Sequence, residues 1–111
     1  MSSTDGSYSA EMTRYLEVEG LGFGMASPAR YHAAMVAAGF RDIRIVDRNE
    51  WCRELARQEH EALSGRRYDQ LVARVGKEFA DHEIEVWHAY RVVVERGELR
   101  PAHLRGRKPG R

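Results

Sequence analysis

Four groups of residues have types and spacings that suit chemistry. Gly20-Leu21-Gly22-Phe23-Gly24 places glycine at every second position. Such a run lets backbone amides approach a phosphate, and an acid at a strand end, here Asp47, would then hold a ribose. Three features oppose that use. The stretch before Gly20 is polar for a buried parallel strand, the next helix starts only at Pro28, and no further strand–helix units follow. No cofactor site is therefore expected, and Gly20, Gly22 and Gly24 are the residues that would form one. Glu85-Val86-Trp87-His88 matches the Glu-x-x-His half of a di-iron helix bundle, but the chain holds no second copy. His82-Glu83 does not extend to H-E-x-x-H, because position 86 is Val. Cys52 stands alone, two helical turns before His60, and reads as a packed thiol beside a solvated ring. Arg100, Arg105, Arg107, Lys108 and Arg111 offer charge to a phosphate, or simply guard an edge strand against aggregation. No metal site and no catalytic residue is expected.

The elements that must position these residues are organised around one stretch, Ala37 to Trp51. Gly39 suits a left-handed helix stop. Ile43 and Ile45 then alternate with Asp42 and Arg44, the period of a strand at 41–47. Val46 falls on the second face, which implies that this face is partly covered. Asn49 reads as the N-cap of the next helix. Before the strand, Met12, Tyr15 and Leu16 mark a helix from Ser9 to about Val18. Ser27-Pro28 starts another, running to Ala38 with Tyr31, Met35 and Ala38 on its apolar side. After the strand come three helical patterns. Trp51, Leu55, Ala62 and Leu63 form the first stripe, over 50–63. Tyr68, Leu71, Val72 and Val75 form the second. Phe79, Val86, Trp87, Tyr90, Val93 and Val94 form the third, over 78–96. Gly97 closes that helix, and 99–107 reads as a strand that must return to pair antiparallel with the first. Both tryptophans are expected to be buried.

The expected class is thus α+β: four to five helices with a two-stranded antiparallel sheet remnant. Residues 1–8 read as a flexible start, 9–109 as a single domain and 108–111 as a basic tail. Two strands alone make a poor sheet, so the chain is expected to pair with a second copy or with a missing portion. Hydrophobic residues at 42%, charged residues at 32% and a net charge of +1 fit a globular protein and argue against a dedicated nucleic-acid binder. No apolar run is long enough to span a membrane, and no secretory signal opens the chain, so a cytoplasmic home is expected.

Several stretches, in this order and spacing, resemble one family. They are Tyr8-Ser9-Ala10-Glu11-Met12 leading to Tyr15 and Glu19-Gly20, then Met25 to Tyr31, then Ala38-Gly39-Phe40-Arg41-Asp42. Asp47 to Trp51 and Gly97 to Pro109 complete the set. Together they resemble the C-terminal part of class I S-adenosylmethionine-dependent methyltransferases, in the phosphoethanolamine (phosphobase) N-methyltransferase branch. The resemblance covers about residues 8–109. It implies that 41–47 is the sixth strand and 99–107 the seventh, antiparallel strand of an incomplete Rossmann-like sheet. It also implies that the helices between them are an insertion, and that residues 9–36 are lid and pre-strand helix, which makes the glycine run part of the lid. Tyr15 then matches a substrate-contacting tyrosine, and Arg105 stands where the last strand carries a substrate-binding lysine. Glu19 stands near the place of a lid arginine and would repel a phosphate. The half that binds S-adenosylmethionine precedes this region, so the chain reads as a truncated or split enzyme, inactive alone. Its expected partner is a second copy or that missing half. The other readings are a helical dimerisation module and a minimal nucleotide-binding fold built on Gly20–Gly24.

Overall fold

Serine hydroxyls begin the first two helices of the computed structural model, which describes residues 1–21 and 25–110. Ser9 caps α1 (Ala10–Glu19), its hydroxyl accepting the Met12 amide at 3.0 Å, and Gly20 ends the helix at φ 77°. Ser27 caps α2 (Pro28–Ala37) by accepting the Arg30 amide at 3.3 Å, with proline in the first turn. The chain continues through β1 (Arg41–Asp47), α3 (Asn49–Ser64), α4 (Tyr68–Val75), α5 (Lys77–Glu95) and β2 (Ala102–Arg107). The protein is therefore α+β, with five helices and one two-stranded sheet among the described residues.

The sheet is antiparallel, with Ile45 opposite Leu104, Arg44 opposite Arg105 and Val46 opposite His103. The register shifts between Arg41 and Arg44, where Asp42 sits at φ 52°. An extra residue on one strand must kink out of the ladder, and aspartate tolerates the left-handed region better than most side chains. One face of the sheet lies under α2. A Cβ at position 106 would stand 2.7 Å from Met35 Cε and 3.3 Å from Phe40, so only glycine lets the helix approach this closely.

The core gathers where α1, α3 and α5 meet. Met12, Tyr15, Cys52, Ala89, Val93, Val94 and Leu99 are its buried members, and Met12, Val93 and Val94 are fully enclosed. The whole is elongated, 54 × 29 × 23 Å, with a radius of gyration of 16.9 Å. A compact chain of this length would have about 13 Å. The difference is the ribbon and α2, which stand off the helical body with few side chains beneath them.

Several expectations are corrected. Trp51 is 62% exposed and Phe79 52%, and Trp87 is half-buried. The buried stripe of α3 consists of Asn49, Cys52, Ala56, Ala62 and Leu63. At about 100° per residue, Trp51 points roughly a third of a turn from the line through 49, 52, 56 and 63. Leu55 is half-buried on the flank. No residue of α2 or α4 is buried: Tyr31 and Met35 are half-covered, and Ala38 and Val75 are exposed. Val46 is 45% exposed, so the second sheet face is largely open.

Asn49 is not the cap. Asp47 Oδ1 accepts its amide at 2.8 Å, and its own side chain turns inward to donate to Val94 O at 3.0 Å and Leu99 O at 2.9 Å. The start of the chain is tied down where a flexible lead-in was expected. Ser2 is fully buried and bridges Leu99, with its amide on Ala26 O at 2.9 Å, and the Arg100 amide donates to Met1 O at 2.7 Å.

Candidate functional site

The aromatic residues of α1 and α5 line a groove to which two separate helices contribute polar and aromatic side chains. Tyr15 and Glu19 are one turn apart on α1, and Glu83, Val86, Trp87 and Tyr90 recur at three and four on α5. With Val18 and His82 they line a groove of about 370 Å³. Three rings stand in series. Tyr15 and Tyr90 have centroids 5.7 Å apart at 59°, and Tyr90 meets Trp87 edge-on at 5.6 Å and 78°. Such tilted and T-shaped pairs are the favoured aromatic geometry. Glu98 fixes the entry of α1 by accepting from the Ser9 amide at 2.9 Å and from its hydroxyl. Arg14 pairs with Glu85 and Arg96 with Glu11, so two ion pairs clamp α1 to α5 and its end.

Electrostatically the groove is acidic. Burial, followed by the nearby Glu19 carboxylate, pushes the Tyr15 hydroxyl up to about 12. Tyr90 is also raised, by burial first and then by the Cys52 thiol beside it, with Tyr15 and Glu19 adding to the effect. Both phenols therefore stay protonated at neutral pH and can donate a hydrogen bond. Neither Glu19 nor Glu83 has an ion-pair partner among the described residues.

Of the residues marked in the sequence, Tyr15 lies in this groove, and Arg105 does not. Arg105 lies on the ribbon, lining a separate hollow with Asp42, Arg44, Gly106 and Arg107. Arg107 Nε donates to Asp42 at 3.0 Å and Arg100 Nε to Asp47 at 2.8 Å, so the basic cluster is partly neutralised by the opposite strand. Gly20 is the left-handed cap of α1, and Gly22 and Gly24 lie outside the described residues. Glu85 is occupied by Arg14, and His88 packs against His60 with centroids 5.3 Å apart and rings tilted by 44°, so the Glu-x-x-His pair faces two different neighbours. Burial, then His88 and Arg91, hold the His60 ring below its ordinary value. Cys52 is a buried free thiol in the core. Among the described residues no three His, Cys, Asp or Glu side chains converge as a metal set, and no helix is long and apolar enough to cross a membrane.

Glu19, Glu83, Trp87 and Tyr90 were not marked as site residues by sequence. The three and four spacing of the α5 set was visible, but it reads equally as a core stripe. A larger hollow of about 780 Å³ opens under the Gly76 turn, but its walls all come from the contiguous stretch Val75–Glu85. It is a surface concavity along one helix, without groups converging from separate elements. No family model and no curated protein matches this chain.

Proposed function

We propose that the chain is the C-terminal substrate-lid and sheet-edge portion of a class I S-adenosylmethionine-dependent methyltransferase. The complete relative would act on a small amine or a similar nucleophile, and this portion would not catalyse transfer by itself. The observation that carries the reading is the antiparallel β1–β2 pair joined through three helices. That is the arrangement which the resemblance requires of strands six and seven with an inserted helical segment between them. The excess radius of gyration supports it as well, since a sheet edge cut from its neighbours leaves strands standing off the body. The cofactor, S-adenosylmethionine, would be held by the missing half, and a cytoplasmic location goes with this reading. The lid's role would be to close over the substrate and exclude water while the two reactants are held together.

The test is the coding sequence next to this chain, followed by reconstitution. A neighbouring half with a glycine loop should bind the purified chain and gain S-adenosylmethionine binding by calorimetry. The chain alone should give no heat with S-adenosylmethionine. Micromolar binding by the chain alone, lost in Gly22→Val, would refute the proposal in favour of a self-contained nucleotide site.

A second reading is a non-enzymatic dimerisation module. It is favoured by the exposed Val46 and Trp51 on and beside the open face of the ribbon, which a second copy would cover. Unpaired outer strand edges invite another strand, and an isologous contact would cover both copies alike. Sedimentation equilibrium over a wide concentration range should then show dimers. A strict monomer with a cooperative melt excludes this module.

A further inference from the structure

We infer that the open face of the β1–β2 ribbon, with Trp51 beside it, is a binding surface for single-stranded nucleic acid. The inference stands on the ribbon alone and does not depend on the methyltransferase reading. The net charge of +1 conceals an uneven distribution. Residues 41–48 and 100–108, the two strands with their flanks, carry seven cations against two acids, and the rest of the sequence carries eleven against fifteen. Asp42 and Asp47 are taken up by Arg107 and Arg100. Arg44, Arg48 and Arg105 are exposed and have no ion-pair partner among the described residues. Strand alternation puts Arg44 and Val46, with Arg105 and His103 opposite them, on the face away from α2. Like charges directly across a ladder repel, so an anion held between Arg44 and Arg105 removes a cost that the fold otherwise carries.

Two hollows lie along the ribbon. One, of about 310 Å³, is lined by Arg44, Arg105 and Arg107, and the other, of about 350 Å³, by Arg48, His103 and Trp51. Trp51 leaves its indole 62% exposed at the second. A polyanion that carries flat rings answers both hollows: guanidinium forks take phosphate oxygens, and the indole takes the face of a base. A duplex keeps its base faces stacked inside, out of reach of Trp51. An acidic peptide supplies the charge without the rings. A lipid surface calls for a contiguous apolar patch, and Val46 and Trp51 are the large apolar side chains that this face exposes. A second copy would set Arg44, Arg48 and Arg105 against their own kind, so the nucleic acid and the dimer compete for one face.

The experiment titrates the full chain into a fluorescein-labelled oligo(dT) of about 15 nucleotides and reads anisotropy at neutral pH over a range of salt. Near 0.1 M salt the dissociation constant should be roughly 1–100 μM, and three arginines releasing counter-ions should give a slope of about −2 in log affinity against log salt. Arg44→Gln, Arg48→Gln and Arg105→Thr should each weaken binding and reduce that slope by about 0.7. Trp51→Ala should weaken the oligonucleotide at least about fivefold and leave inorganic polyphosphate, a polyanion without bases, bound as before by calorimetry. Arg74→Gln, at an exposed arginine of α4 outside the ribbon, should change nothing. Melting midpoints report that each variant keeps its fold. Absence of binding, indifference to Trp51→Ala, or an equal loss in Arg74→Gln would overturn the assignment. So would tighter binding of a duplex of the same length, or phosphatidylserine vesicles that displace the probe as well as unlabelled oligo(dT) does.

Discussion

Asn49→Ala is expected to destabilise the protein by about 2–3 kcal/mol. The amide of Asn49 donates to Val94 O at the end of α5 and to Leu99 O just before β2. One buried side chain thereby joins the start of α3 to the turn that brings the chain back beside β1. Val94 O keeps a second partner, the Gly97 amide at 3.0 Å, but Leu99 O relies on Asn49 for its hydrogen bond among the described residues. Removing the side chain deletes two bonds worth about 1 kcal/mol each and leaves one carbonyl to bear part of a 1–3 kcal/mol desolvation cost. For a domain of this size that is a fall of roughly 10 °C in melting midpoint.

Asn49→Asp sharpens the test, because it keeps the shape and aims a carboxylate at two carbonyl oxygens. The acid is favoured protonated in the fold, so its folded pKa rises above the unfolded one. Stability is then retained at acid pH and lost as pH rises through the carboxylate range, the reverse of the usual aspartate. Denaturant melts of the three proteins between about pH 4 and 8 provide the measurement. An Asn49→Ala midpoint within about 0.5 kcal/mol of the parent would refute the clamp. An Asn49→Asp variant equally stable at both ends of the range would do the same.

Further expectations follow from burial and charge. Met12→Ala, at the fully enclosed centre of the α1–α5 contact, should cost about 2–5 kcal/mol, whereas Trp51→Ala, despite its size, should stay within about 0.5 kcal/mol; the opposite order in thermal melts would mean that α3 faces the other way. Arg105→Thr should stabilise the ribbon by roughly 0.2–1 kcal/mol, since Arg44 lies directly opposite and like charges across a ladder repel. A loss in the same melt would mean that Arg105 makes a contact that outweighs the repulsion. Because His60 is held below its ordinary 6.5, by burial first and then by His88 and Arg91, its neutral form stabilises the fold. That contribution is full above the unfolded value and is lost as pH falls through the folded one. His60→Gln should therefore flatten the decline in stability from about pH 7 into the acid range, and an unchanged slope would exclude the histidine as its source.

Local chemistry made much of the chain legible from sequence. Ser9, Ser27-Pro28 and Gly39 act through backbone geometry within a few residues, so the helix starts and the stop before β1 could be read directly. The alternation of Ile43 and Ile45 marked β1, and the need for β2 to pair with it followed from having only two strands, but a long helical connection suits either direction, and the antiparallel one was what the resemblance implied. Which face of each helix is covered was not legible, because a 3.6-residue period identifies a stripe but not its neighbour. Trp51 and Cys52 lie side by side in sequence, and only the position of α5 decides that the thiol is buried and the indole exposed. Asn49 shows the same limit. Its residue type suits a cap, but two carbonyls, 45 and 50 residues further along, turn it inward. Tyr15 could be marked from sequence, whereas its groove could not. Glu19 and Trp87 share a cavity only because α1 crosses α5. Backbone preferences are settled within a turn or two of chain, while the surroundings of a side chain depend on segments that only packing brings together.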